Sequence, residues 1–324
     1  MRIAVLLVAS LLATPLVAQD VPVEEVLVSV ARPGPGLWRV SKGENELWVL
    51  GTVSPVPKRM KWDSTLVEGV IDDASAVLLA PTIDVDADVG FFGAVALLPS
   101  AMRMRNNPEK QKLKDVLSTD DYARFSKLKK QYMPRNRAIE KRRPLVAAAD
   151  LYERAVERVG LQMDSVTLKI VKRAAKRNKL KPIEPEYKIK LDDPKALVKE
   201  FNAASLDDIA CLQQTMTFVE QDLDAAKARA TAWADGDLKT LKGLPLTDRR
   251  SACENAFLRS EIVKKRGYDA LPVRLAETWI AAAEAALAEH AVSFAVLPMR
   301  QVVDADGYLS MLAARGYTVE APGE

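Results

Sequence analysis

The stretch Leu37 to Ser54, LWRVSKGENELWVLGTVS, constrains the fold more than any other part of the chain. Two apolar-rich runs flank Lys42-Gly43-Glu44-Asn45, which predicts a hairpin turning there. The second run, Leu47-Trp48-Val49-Leu50, leads straight into Gly51-Thr52-Val53-Ser54. A strand ending in glycine and small polar residues is a usual place for a site, because glycine lets backbone or ligand approach closely. Gly51 and Thr52 are therefore candidate cleft residues.

The rest of the chain reads as strands at both ends and helices between. Gln19 to Pro35 is an irregular lead-in. Pro55 and Pro57 force an extended exit from the hairpin. Asp63-Ser64-Thr65 can cap a helix over about 64–74. Ala76 to Ala80 reads as a buried strand ended by Pro81. Residues 88–105 have helical spacing, with Pro99 expected to break or kink them. Ser118-Thr119-Asp120-Asp121 predicts a capped helix to about Gln131. Pro144 opens a helix to about Val159, and Asp164 another to about Asn178. Lys181 to Glu184 is a short strand candidate, and Pro194 starts a helix to about 203. Ser205-Leu206-Asp207-Asp208 caps a long helix running toward Trp233. Helices follow at about 248–266 and 271–290. Val292 to Leu297 is the last buried strand, and a short helix and the edge strand Tyr317 to Glu320 close the chain. This is a mixed α/β (α+β) class, one domain over 36–321 with a helical insertion at about 105–290.

The first 18 residues read as a secretory signal peptide. Arg2 gives a positive start, Ile3 to Leu12 an apolar run, and Leu16-Val17-Ala18 a small-residue ending. No later segment holds about 20 uninterrupted apolar residues, so no membrane span is expected after cleavage. The expected location is periplasmic or secreted. A formal charge of +3 over 324 residues implies no nucleic-acid partner. Cys211 and Cys253 are the only cysteines, each in a segment that reads as helix. In an exported chain they predict one disulfide, closing a loop of roughly 40 residues and contributing about 3–4 kcal/mol.

Four motifs carry a resemblance that spans nearly the whole mature chain, roughly 36–321. They are Leu37-Trp38-Arg39-Val40, Leu50-Gly51-Thr52-Val53, Trp233-Ala234-Asp235-Gly236-Asp237-Leu238, and Asp306-Gly307-Tyr308-Leu309 with Leu312 and Arg315-Gly316-Tyr317-Thr318-Val319. In order and at these separations they resemble the TraB/GumN (TIKI-like) family. The resemblance implies a core sheet built from N- and C-terminal strands. It also implies a metal-dependent hydrolase site made of a histidine after the first strand, a glutamate after the second, a glutamate in a middle motif and a histidine after the last strand.

This chain departs from that pattern. Ser54 stands at the first histidine position. Ala80 and Pro81 stand where an acid is expected, with Asp84 and Asp86 further on. Glu184 is retained in Pro182-Ile183-Glu184. Counting back from Gly307 places the last motif on Pro298-Met299-Arg300-Gln301, without its glycine and histidine; Arg300 joins the candidate cleft residues. Imidazole binds divalent metals and titrates near neutrality. A serine hydroxyl or a glutamine amide does neither unaided.

Other chemistry is poorly supplied. His290 is the only histidine, at the end of an alanine-rich helix, where a surface structural role is expected. It cannot assemble a His/Cys zinc site with two bridged cysteines. No Gly-x-Ser-x-Gly elbow supports Ser54 as a nucleophile, and there is no phosphate-binding glycine loop. Lys127, Lys129, Lys130, Arg135, Arg137 and Lys141 to Arg143 form one basic run, and Lys172 to Lys181 a second. These read as solvated helix faces or as contacts for an anionic glycan, lipid headgroups or an acidic envelope partner.

The sequence thus supports a catalytically degenerate binding or scaffolding protein of the cell envelope, with no cofactor. One alternative is a hydrolase or peptidase with a rearranged carboxylate site holding a divalent metal through Glu184, Asp84 and Asp86. Another is an exopolysaccharide-associated envelope factor.

Overall fold

The computed structural model describes residues 34–323 apart from 88, 164–165, 205, 207 and 245–248. The expected signal peptide, most of the lead-in, and the helix starts expected at Asp164 and Ser205 lie outside the described residues.

The hairpin forms where expected. β1 (Leu37–Lys42) pairs antiparallel with β2 (Asn45–Thr52), with Trp38 opposite Val49 and Val40 opposite Leu47. β3 (Val56–Pro57), β4 (Ala76–Leu78), β5 (Thr82–Ala87), β6 (Leu161–Gln162), β7 (Glu186–Leu191), β8 (Val292–Pro298) and β9 (Thr318–Glu320) follow. The main sheet has the order β4-β8-β2-β1-β9. β8 runs parallel to both β2 and β4, while β9 is antiparallel to β1. Phe294, Ala295, Val296 and Leu297 in β8 are all buried. Such a continuous apolar run suits a parallel strand covered on both faces. The core sheet is therefore built from the two ends of the chain, and the middle is largely helical.

Two apolar cores result. One surrounds the main sheet and includes Leu47, Leu50, Trp233, Trp279 and Phe294. The other lies within the helical middle, around Phe125, Leu151, Leu212 and Met216. Cys211 and Cys253 are joined by a disulfide in this second core, across 42 positions of sequence.

Several local expectations change. β5 and β7 pair in parallel with each other in a two-stranded sheet of their own; neither was expected. Of the strand expected at 181–184 only Ile183 bridges, parallel to Leu78. The helix Phe91–Arg103 runs through Pro99 without ending. Pro99 leaves the Val95 carbonyl without its helical donor, but Val95 is exposed and water can satisfy it. The long segment toward Trp233 is two helices, Ile209–Thr217 and Leu223–Ala234, joined by a π-turn over Phe218–Asp222. Ser118 caps its helix as expected, its hydroxyl accepting from the Asp121 N–H at 3.1 Å.

Candidate functional site

Ligands of parallel sheets bind beyond the carboxyl ends of the strands. Here that edge follows Thr52, Leu78 and Pro298, with the parallel bridge at Ile183 beside β4. The sheet therefore delivers Ser54, Pro81, Gln301 and Glu184 to one edge. These are the four positions that the family resemblance singles out, brought together from points spread over nearly 250 residues of sequence.

The edge is packed with apolar side chains. A Cβ on Gly51 would lie 2.8 Å from both Sδ and Cε of Met299 and 3.5 Å from the Trp38 ring. Glycine lets the flexible end of Met299 pack directly over the backbone here, with the Trp38 ring at ordinary contact distance. The Trp233 indole N–H donates to the Gly51 carbonyl at 2.6 Å. The Trp62 ring meets Trp233 edge-on, with centroids 5.2 Å apart. Beside Trp38, Trp233 and Met299 remains a cavity of about 10 Å³, at the lower limit for a single water.

The polar groups at the edge are engaged or modest. The Thr52 hydroxyl donates to the Leu297 carbonyl at 3.2 Å. Exposed Ser54 lies with its hydroxyl 3.9 Å from the Met163 sulfur. Pro81 has no N–H to offer. Gln301 is half-buried in the short helix Met299–Val303, and the Arg300 Nε is 3.2 Å from Asp304 Oδ2. Glu184 is exposed and pairs with Lys172 at 2.9 Å.

The remaining acids do not converge with them. Asp84 and Asp86 are exposed on β5, in register with Lys188 and Lys190 of β7. Residues two apart on a strand share a face, so these acids form one charged stripe beside the lysines. Among the described residues no three His, Cys, Asp or Glu side chains are grouped so as to hold a metal ion. His290 ends the helix Leu271–Glu289, two residues before β8 begins. That places the chain's one imidazole at the amino end of β8, opposite the edge that carries Ser54 and Gln301.

The sequence motif around Trp233 has a structural account. Gly236 has φ +68°, and a Cβ there would lie 2.8 Å from the Gly34 carbonyl oxygen. Asp237 caps the next helix, accepting from the Thr240 N–H at 2.9 Å. Trp233 itself plugs the edge. The motif was legible, but its partner Gly51 lies 182 positions away, a pairing no local pattern encodes.

The basic runs are partly consumed inside the molecule. Arg143 is buried, its guanidinium donating to the carbonyls of Met104, Ala204 and Phe201 at 2.9, 2.8 and 2.6 Å. Burial holds its pKa below the ordinary arginine value. It is thus a structural anchor rather than a solvated cation. Lys129 pairs with Glu140. Arg177 reaches Glu68 and Asp72, each at 2.9 Å.

No curated protein and no solved structure matches the chain. A family profile does match, over residues 36–321, which covers the whole main sheet and all four positions at its carboxyl edge. The chain belongs to the TraB/PrgY/gumN family.

Proposed function

We propose that this chain is a non-catalytic member of its family that is exported and works as a binding or scaffolding protein of the cell envelope. One observation carries the reading. The edge where the family resemblance places catalysis is occupied by Met299, Trp38 and Trp233 around Gly51, and the only histidine lies at the other end of β8. A hydrolytic metal site needs ligands that bind a divalent ion and a position left open for water. Serine, proline and glutamine are poor substitutes for those ligands, and Glu184, the one carboxylate among the four, is paired with Lys172.

Export is supported by the signal-like start of the sequence and by the Cys211–Cys253 disulfide. Among the described residues no helix is long and apolar enough to cross a membrane.

The test is a hydrolysis assay on the purified protein with peptide substrates and added manganese, cobalt or zinc. No turnover above a metal-only blank is expected. Turnover that requires metal and is abolished by Glu184→Ala would contradict the reading.

A further inference from the structure

The helix Phe91–Arg103 carries two unlike surfaces. Phe92, Val95, Leu98 and Met102 are 86, 54, 58 and 59% exposed. Their spacing of three, three and four residues places them in one stripe along the helix. The helix contains no acidic residue. On its other side it packs on the helix Pro194–Ala203, with the Asn202 side-chain amide donating to the Ser100 carbonyl at 3.0 Å. Between these helices and the turn Pro108–Lys110 opens a cleft of about 920 Å³.

The cleft is cationic. Arg103, Lys110, Lys141, Lys195 and Lys199 line it against one acid, Glu109. All four lysines are exposed and none of them is ion-paired. Five positive groups facing one negative group repel each other in water, and an anion relieves that repulsion.

Whatever covers this region must accept an apolar stripe and tolerate the positive charge gathered behind it. An anionic bilayer does both: a helix with an apolar face and a cationic border lies in the interface, its apolar side at the acyl boundary. A second copy fits less well. A helix of 13 residues is about 20 Å long, so its face falls well short of the roughly 800 Å² per partner of a stable interface.

We propose that the Phe91–Arg103 helix and the cleft beside it dock this protein on an anionic phospholipid surface. The stripe enters the headgroup–acyl boundary with Arg103 at its edge, and the cleft lysines, on the helix's other side, add the positive potential that draws an anionic surface. The surface is separate from the packed edge at Gly51, and the proposal does not depend on whether that edge is catalytic.

The test is co-sedimentation of the purified protein with vesicles of phosphatidylcholine containing phosphatidylglycerol, against phosphatidylcholine alone. Binding is expected only to the anionic vesicles, and it should weaken as salt rises. Val95→Glu with Met102→Glu, and separately Lys195→Glu with Lys199→Glu, should each lower partitioning about tenfold or more. Both pairs are exposed, so unchanged circular dichroism and melting are expected. Val273→Glu, 58% exposed on another helix, should bind like wild type. Three outcomes overturn the proposal. One is anionic vesicle binding that ignores both double variants. Another is lysine-dependent binding of inorganic phosphate with no vesicle binding, which would make the cleft a free-anion site. The third is a dimer in sedimentation velocity that Val95→Glu with Met102→Glu dissociates, which would assign the stripe to self-association.

Discussion

The Trp233 indole N–H donates to the Gly51 carbonyl at 2.6 Å, tying the Leu223–Ala234 helix to the carboxyl end of β2. The bond is buried and spans most of the chain's length. It fixes the identity of the edge: where a parallel sheet would leave room for a ligand, this one places a tryptophan. Replacing Trp233 by phenylalanine leaves the Gly51 carbonyl without its donor, which costs about 1–3 kcal/mol. Trp233→Ala adds a cavity and should cost about 3–5 kcal/mol. Urea unfolding of the three proteins checks both values. Equal stability of wild type and Trp233→Ala would mean the edge is not packed as described.

Gly51 and Met299 form the second half of the plug. In Gly51→Ala the new methyl meets the flexible end of Met299 at 2.8 Å, which can shift, so the cost should fall at the low end of overpacking, about 1 kcal/mol. Met299→Ala should relieve the clash, so the double variant is expected to be more stable than the two single losses added together. Strict additivity in a double-mutant cycle would show that the two residues do not touch.

The helical middle depends on its cross-link. With 42 positions between Cys211 and Cys253, loop-closure entropy gives about 4 kcal/mol. Reduction should lower the urea midpoint accordingly, and the denatured oxidised protein should show no reactive thiol. Two thiols titrating before reduction would contradict the bond.

Arg143 should behave as a buried anchor. Arg143→Met strands the carbonyls of Met104, Phe201 and Ala204, at an expected cost of about 3 kcal/mol. Arg143→Lys should recover little, because an ammonium cannot reproduce the planar fork that reaches three acceptors. Thermal melts of both variants check this, and near-wild-type stability of Arg143→Lys would show that only the charge matters.

Acid should weaken the contact between the Thr65–Asp73 and Val166–Arg177 helices. The Ser64 hydroxyl and then Arg177 hold Glu68 below its ordinary pKa, and Arg177 and then Asn178 do the same for Asp72. A carboxylate with a depressed folded value stabilises above its unfolded value, about 4, and loses that contribution as pH falls through the folded one. Stability should therefore hold from neutral pH down to about 4 and then fall. Arg177→Ala should flatten that fall; an unchanged acid limb would show that these pairs contribute nothing.

How much of this was legible in the sequence follows the range of each interaction. The hairpin at 37–52, the continuous apolar run of β8 and the Ser118 cap have signals within a few residues of sequence, so the chain displays them directly. The β5–β7 pair was missed although both strands alternate, Ile83 and Val85 against Asp84 and Asp86, and Tyr187 and Ile189 against Lys188 and Lys190. The alternation of Asp84 and Asp86 with Ile83 and Val85 is also what a pleated strand produces. Arg143 looked like one more surface charge, because nothing near it announces three carbonyls drawn from separate segments. At the candidate edge, the resemblance located Ser54, Pro81, Glu184 and Gln301, and the topology does gather them. That Met299 and Trp233 fill the edge was not legible, since it depends on contacts between residues far apart in sequence.

The most direct measurement is the divalent-metal content of the disulfide-intact protein purified without chelator, by elemental mass spectrometry. Far less than one metal per chain is expected, before and after incubation with manganese, zinc or magnesium followed by desalting. One tightly held ion per chain, lost in Glu184→Ala, would contradict it: carboxylates would then have taken over from the absent histidines, and the edge would be a working metal site.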